Sequence, residues 1–162
     1  MSIAGDLLNF IFPQRCHVCD GALAPHEQFI CQACLDRLPR SGYHRRKLNP
    51  MEERFAGIFP FEKATGHFLY ARDSSISVLI QDMKYRNFPS IGNYLGRLVA
   101  SELYATGFFN DVDVILPVPM HFIKKAKRGY NQAERIALGV GEGTGLPVAM
   151  NLKMTRYVLL RN

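Results

Sequence analysis

Residues 16–34 read Cys-His-Val-Cys-Asp-Gly-Ala-Leu-Ala-Pro-His-Glu-Gln-Phe-Ile-Cys-Gln-Ala-Cys and hold all four cysteines of the 162-residue chain. They form two Cys-x2-Cys pairs, Cys16/Cys19 and Cys31/Cys34, with eleven residues between them. A Cys-x2-Cys turn brings two thiolates within reach of one metal, and two such turns supply a tetrahedral zinc set. Gly21 and Pro25 suit the reversal between them. A segment this short cannot bury a core of its own. Zinc would replace one, contributing on the order of 10 kcal/mol or more of folding free energy. Disulfides need an oxidising compartment. A redox pair needs only one Cys-x2-Cys, normally at the start of a helix after a strand. An iron–sulfur cluster could use four cysteines, but the spacing matches zinc knuckles better. The expectation is a structural zinc on Cys16, Cys19, Cys31 and Cys34, with a closed shell and no chemistry at the metal. His17 and His26 are expected at the surface.

Outward from this module the chain reads as an ordinary globular protein. Apolar residues are 48% and charged residues 21%, which excludes a disordered tail. No apolar run approaches the roughly 18 residues of a spanning helix. Residues 2–11 read as a short helix stopped by Pro13. Asp6 precedes the first basic residue, Arg15, so the charged start of a secretory signal is missing and a cytoplasmic location is expected. The net charge is +6, and residues 120–162 alone carry eight Lys or Arg against two Glu. Such a basic third implies an anionic partner, either a phosphorylated small molecule or nucleic acid.

After a basic linker over 39–54, whose first part, 39–50, is bounded by prolines, strands and helices alternate. Phe55–Phe61 and His67–Tyr70 read as short strands. Ser74 or Ser75 caps a helix through Tyr85, and Pro89 opens a longer one with Gly107 as its stop. Val112–Leu116 is an apolar run suited to a strand buried on both faces, ended by Pro117 and Pro119. A helix over about 130–140, stopped by Gly141 and Gly143, and a strand over 147–152 follow. The order implies an α/β fold, a parallel sheet with right-handed crossovers. Ligands of such sheets bind beyond the carboxyl ends of the strands. The loop Pro117, Val118, Pro119, Met120 and His121, backed by Lys124, Lys125, Lys127 and Arg128, is therefore the candidate phosphate site.

The pieces in this order resemble the ComF-type competence proteins, a phosphoribosyltransferase-like family. The matching residues are Phe12-Pro13-x2-Cys16-x2-Cys19, Cys31-x2-Cys34, Leu79-Ile80-x2-Met83-Lys84-Tyr85-Arg86, Leu95-Gly96-Arg97-Leu98, Pro117-Val118-Pro119-Met120-His121 and Arg128-Gly129-Tyr130-Asn131-Gln132-Ala133. The resemblance implies an N-terminal helix and a four-cysteine, zinc-ribbon-like module over 1–38, the linker over 39–54, and an incomplete type I phosphoribosyltransferase-like domain over 55–162. It implies that the loop at 117–121 helps hold pyrophosphate, with Arg128 a phosphate partner and Asn131 and Gln132 bonding substrate or loop. Lys84, Tyr85 and Arg86 match a motif to which no role is assigned, and no residue is assigned a catalytic one.

The family pattern then runs on into a strand ending in two acidic residues and a Thr-Gly-rich turn that cradles phosphoribosyl pyrophosphate. Asp111 and Asp113 precede their strand, and Glu142-Gly143-Thr144-Gly145 follows a helix, so neither is an equivalent. The chain therefore reads as C-terminally truncated and inactive by itself, with Mg²⁺ relevant only to a complete site. Its role by resemblance lies in DNA uptake during natural transformation. The alternative is a non-enzymatic zinc-containing module that binds single-stranded DNA or a competence-machinery partner, with Tyr43, Phe55 or Tyr85 as stacking positions. An unsealed sheet edge would favour self-association.

Overall fold

A computed structural model describes residues 13–150, so the helix expected over 2–11 lies outside the described residues. Within them the chain forms six α-helices and one 3-10 turn. These are α1 (Gln32–Asp36), the 3-10 turn Tyr43–Arg45, α2 (Pro50–Phe55), α3 (Ser75–Tyr85), α4 (Pro89–Tyr104), α5 (Phe122–Arg128) and α6 (Gln132–Thr144).

The expected parallel sheet is overturned. Among the described residues there are only isolated bridges, and the one parallel bridge joins Ile115 to Val148. The two segments read as strands do meet: Ile115 N–H donates to Pro147 O at 2.9 Å, and Ala149 N–H to Ile115 O at 3.0 Å. The next rung on either side would need an N–H from Pro117 or from Pro147. Proline has none, so the ladder ends after a single bridge. Among the described residues there is then no sheet edge for the self-association expected from one.

The strand expected over Phe55–Phe61 is also absent. Asn49 accepts from the Met51 and Glu52 N–H groups, and Glu52 reaches back to the Asn49 N–H, so a capping box and Pro50 start α2 there instead. Gly57, at φ 76°, turns the chain after the helix. The rings of Phe55, Phe59 and Phe61 then gather, with centroids 5.2–6.1 Å apart. Of the strand expected at His67–Tyr70, only an antiparallel bridge between Phe68 and Arg40 forms.

The helical readings fare better because their caps are local. Ser74 caps α3 by accepting from the Ser77 N–H, and α3 ends at Tyr85 as its pattern requires. Pro89 sits in the first turn of α4, and Gly107 adopts φ 69° in the turn that follows the helix. The helix expected over about 130–140 runs instead from Gln132 to Thr144, through Gly139, Gly141 and Gly143. These glycines do not stop it, because two of them face α4 at very short range. A Cβ on Gly139 would lie 2.0 Å from Asn93 O, and one on Gly96 of α4 would lie 2.2 Å from Ile136 O. The Cβ of Gly143 would meet that of Ala100 at 2.6 Å. Small residues at four-residue spacing thus let the α4 and α6 backbones touch.

One core spans the cysteine segment and the helices. Cys16, Ile30, Cys34 and Leu38 pack with Ile76, Leu79, Met83, Ile91, Leu95 and Tyr130. A polar latch ties the segment after α1 to α4. The Arg40 guanidinium grips the Glu102 carboxylate through Nε and NH2 at 2.6–2.9 Å, and His67 Nε2 lies 2.9 Å from the same group. Burial acts to raise the Glu102 carboxyl, but Arg40 and His67 outweigh it and hold it below the usual range.

Candidate metal centre and basic face

The four cysteine sulfurs all lie within 4.8 Å of one another. A tetrahedron with Zn–S bonds of about 2.3 Å has edges of about 3.8 Å, and Cys19 Sγ and Cys31 Sγ are 3.7 Å apart. The donor set therefore fits zinc. Local turns build it. The Cys16 N–H donates to Gly21 O, the Asp20 N–H to Cys16 O, and Asp20 takes φ 58° to close the first knuckle. Glu27 fastens the second: its carboxylate accepts from the Ala24 and Gln32 N–H groups, both at 2.7 Å, and α1 then carries Cys34 inward.

The sulfurs are not equivalent. Burial pushes the Cys16 thiol up, but N–H groups of Cys31, Cys19 and Val18 outweigh this and bring it down to about 7. Burial and the neighbouring cysteines push Cys34 up to about 12. Four thiols this close resist ionising together, and a dication removes that conflict. Bound zinc would be held by all four thiolates as a structural ion, releasing protons as it binds. Cys16 and Cys34 are buried, Cys31 is half-buried and Cys19 faces solvent, so the edge of the centre is accessible from one side.

His17 does not lie at the surface as expected. It sits inside the first knuckle with its side chain 16% exposed, and its Nδ1 lies 2.5 Å from Asp82 Oδ2. His26 is exposed, as read. Asp82 escaped the sequence reading altogether. A signal existed, since an aspartate one turn beyond Leu79 on the apolar side of α3 needs a buried partner.

The remaining candidates lie at the end of α3 and along the chain from Pro117 to Gln132, two segments that meet at Arg128 and Tyr130. Pro117 is buried, and Val118 is exposed with its carbonyl tied down. Asn131, 2% exposed, makes that tie: its Nδ2 donates to Val118 O at 3.0 Å while its Oδ1 caps α6 at the Ala133 N–H. Asn131 is thus the link between loop and helix. Asn131→Ala is expected to lower stability by about 1–2 kcal/mol, measured by urea unfolding; an unchanged midpoint would remove that role. His121 caps α5 through Nδ1. Lys125 is paired with Glu134 at 3.1 Å. Lys124 and Lys127 lie exposed on α5, and Pro119 and Met120 are half-buried.

Two motifs far apart in sequence meet here. The Arg128 guanidinium lies over the Tyr85 ring, 5.6 Å from its centroid, and Arg128 NH1 donates to Gln132 Oε1 at 2.8 Å. The Tyr130 hydroxyl donates to Met83 O. Arg86 pairs with Asp82 at 3.3 Å, and Lys84 is half-buried. Gln132 Nε2 is buried without a partner. Of the three stacking candidates, Phe55 packs with phenylalanines and Tyr43 is half-buried, whereas Tyr85 is 75% exposed.

Comparison with known proteins agrees with this geometry. The double zinc ribbon domain family matches residues 7–45, which include all four cysteines. Together with the sulfur cluster, that match defines a zinc-ribbon module within these residues, and its four cysteines provide ligands for one zinc. Over 158 residues the chain is 25% identical to competence protein F of Haemophilus influenzae, covering 90% of this chain and 67% of that protein. In these two respects the chain is similar to a ComF-type protein with an N-terminal zinc module. No solved structure matches it. No helix among the described residues is long and apolar enough to cross a membrane.

Proposed function

We propose that this chain serves competence as a zinc-stabilised binding module for single-stranded DNA, gripping phosphates with Lys84, Lys124, Lys127 and Arg128 and stacking a base on Tyr85. The observation that carries this reading is the Arg128–Tyr85 contact. It places a planar cation and an exposed ring side by side in the most basic part of the chain. Aromatic stacking and phosphate pairing are the two sequence-tolerant contacts that single strands offer. The name of the Haemophilus influenzae relative points to competence. The zinc supplies stiffness and no chemistry, because its four sulfurs leave no open position.

Roughly three to four phosphate contacts imply a slope of log affinity against log salt of about −2 to −3 for a single strand. Affinity for a fluorescein-labelled oligothymidylate, read by anisotropy, is therefore expected to fall roughly 15- to 60-fold between about 50 and 200 mM salt. Arg128→Ala should reduce both affinity and slope. Arg128→Lys keeps the charge but loses the planar stack, so it should reduce affinity with the slope retained. A salt-independent signal, or an affinity insensitive to Arg128→Ala, would sink the reading.

A second reading uses the same phosphate chemistry on a smaller ligand: pyrophosphate held by Pro117–His121 and the start of α6, with Asn131 holding the loop. The unpartnered, buried Gln132 Nε2 beside Arg128 favours it. Pyrophosphate that displaces the oligonucleotide, with Gln132→Ala weakening pyrophosphate but not DNA, would support this second occupant. The location expected for such a protein is the cytoplasm.

A further inference from the structure

His17 touches both ends of the turn that joins α3 to α4. Its Nδ1 meets Asp82 Oδ2 at 2.5 Å, and its ring meets Phe88 edge-on with centroids 4.8 Å apart. Asp82 is the anchor of that turn. Its backbone carbonyl accepts the N–H groups of Arg86 at 3.0 Å and Phe88 at 3.5 Å, and its second carboxylate oxygen faces Arg86 at 3.3 Å. Between them Asn87 adopts φ 58°, a conformation that an L-residue keeps only where its surroundings hold it. The Asp82 side chain is 3% exposed, so it cannot exchange His17 for water without exposing the core. On the other side, His17 is fixed by its own backbone. Cys16 and Cys19 flank it in the knuckle, and the His17 N–H donates to Phe29 O at 2.8 Å.

We propose that the zinc knuckle sets the position of the Lys84-Tyr85-Arg86 corner through His17 and Asp82, making His17 a positioning residue for a surface to which it contributes no contact. Zinc bound by Cys16 and Cys19 orders the knuckle. The knuckle orders His17, and His17 holds the carboxylate and the Phe88 ring that bracket the corner. Coupling of this kind is reciprocal: whatever loosens Asp82 also weakens the hold on zinc. Partners just outside a metal's ligand set change metal affinity by about 10–100-fold when removed. This coupling holds whatever the basic face binds, and its readouts involve no ligand other than zinc.

The test uses the zinc-loaded full chain and the variants His17→Phe and Asp82→Asn. His17→Phe keeps a ring against Phe88 and removes only the polar link. Zinc content per chain should stay at one, while amide hydrogen exchange at Arg86 and Phe88 rises about tenfold and that of Ala100, inside α4, does not change. Transfer of zinc to a competing chelator should become about tenfold more favourable. The double variant should be no worse than either single one, since both break the same link. Unchanged exchange at Arg86 and Phe88 in His17→Phe would overturn the proposal, as would an equal rise at Ala100 or additive effects on zinc transfer. If Asp82→Asn fails to fold, the exchange and chelator measurements on His17→Phe decide alone.

Discussion

Cys34→Ser should leave the chain without zinc and largely unfolded at room temperature. Cys34 is both a ligand and a core residue: it packs in the same cluster as Ile76, Leu79, Ile91 and Tyr130. A structural zinc contributes on the order of 10 kcal/mol, against a total of about 5–15 kcal/mol for a folded domain. A loss of that size leaves little for the helices, because the cysteine segment and α3 and α4 share one core. Far-ultraviolet circular dichroism should therefore show the helices melting together with metal release. Acid should act in the same direction, since protons compete with zinc for all four sulfurs. A Cys34→Ser chain that keeps one zinc, or that melts at the parent temperature, would refute the assignment. A parent that keeps its helices after complete zinc removal would show instead that the helices stand alone.

Gly139→Ala and Gly96→Ala should each destabilise the protein by about 3 kcal/mol or more, which lowers the melting temperature by roughly 6–12 °C. Alanine in a helix is ordinarily better than glycine by about 1 kcal/mol, so propensity predicts the opposite sign. Packing wins because the atoms in the way are main-chain: Asn93 O at 2.0 Å and Ile136 O at 2.2 Å from the added Cβ. A side chain could rotate aside, whereas these carbonyls can yield only if α4 and α6 move apart. Gly66→Ala is the control. Its Cβ meets Met51 Cγ at 3.5 Å, an ordinary contact, and its effect should stay within about 1 kcal/mol. A neutral or stabilising Gly139→Ala would mean that the two helices do not approach this closely.

The readings that survived share one property, which is that short-range chemistry decides them. Two Cys-x2-Cys pairs can reach one ion whatever surrounds them. Ser74 needs only the N–H three residues on, and Pro89 only its own ring, to begin α3 and α4. The ComF-type resemblance likewise rests on ordered short motifs. The α2 start was legible too, in Asn49-Pro50-x-Glu52, but the apolar run after it drew the strand reading. The failure of the sheet was also written locally. A parallel rung beside Ile115 needs an N–H from residue 117 or 147, and both are proline. An apolar run records burial, and burial alone does not supply the donors that a ladder requires.

By itself, then, the sequence determined the metal-ligand set, the main helices and the basic third, because each depends on covalent spacing, on a cap or on charge. Tertiary structure alone decided which distant residues meet. His17 found Asp82 across sixty-five positions, Arg128 came to lie over Tyr85, Gly96 and Gly139 became contact points between α4 and α6, and Gly143, read as a helix stop, came to lie against Ala100. The reason is that close approach and burial are properties of two surfaces together. No one-dimensional pattern carries the distance between surfaces until the chain has packed.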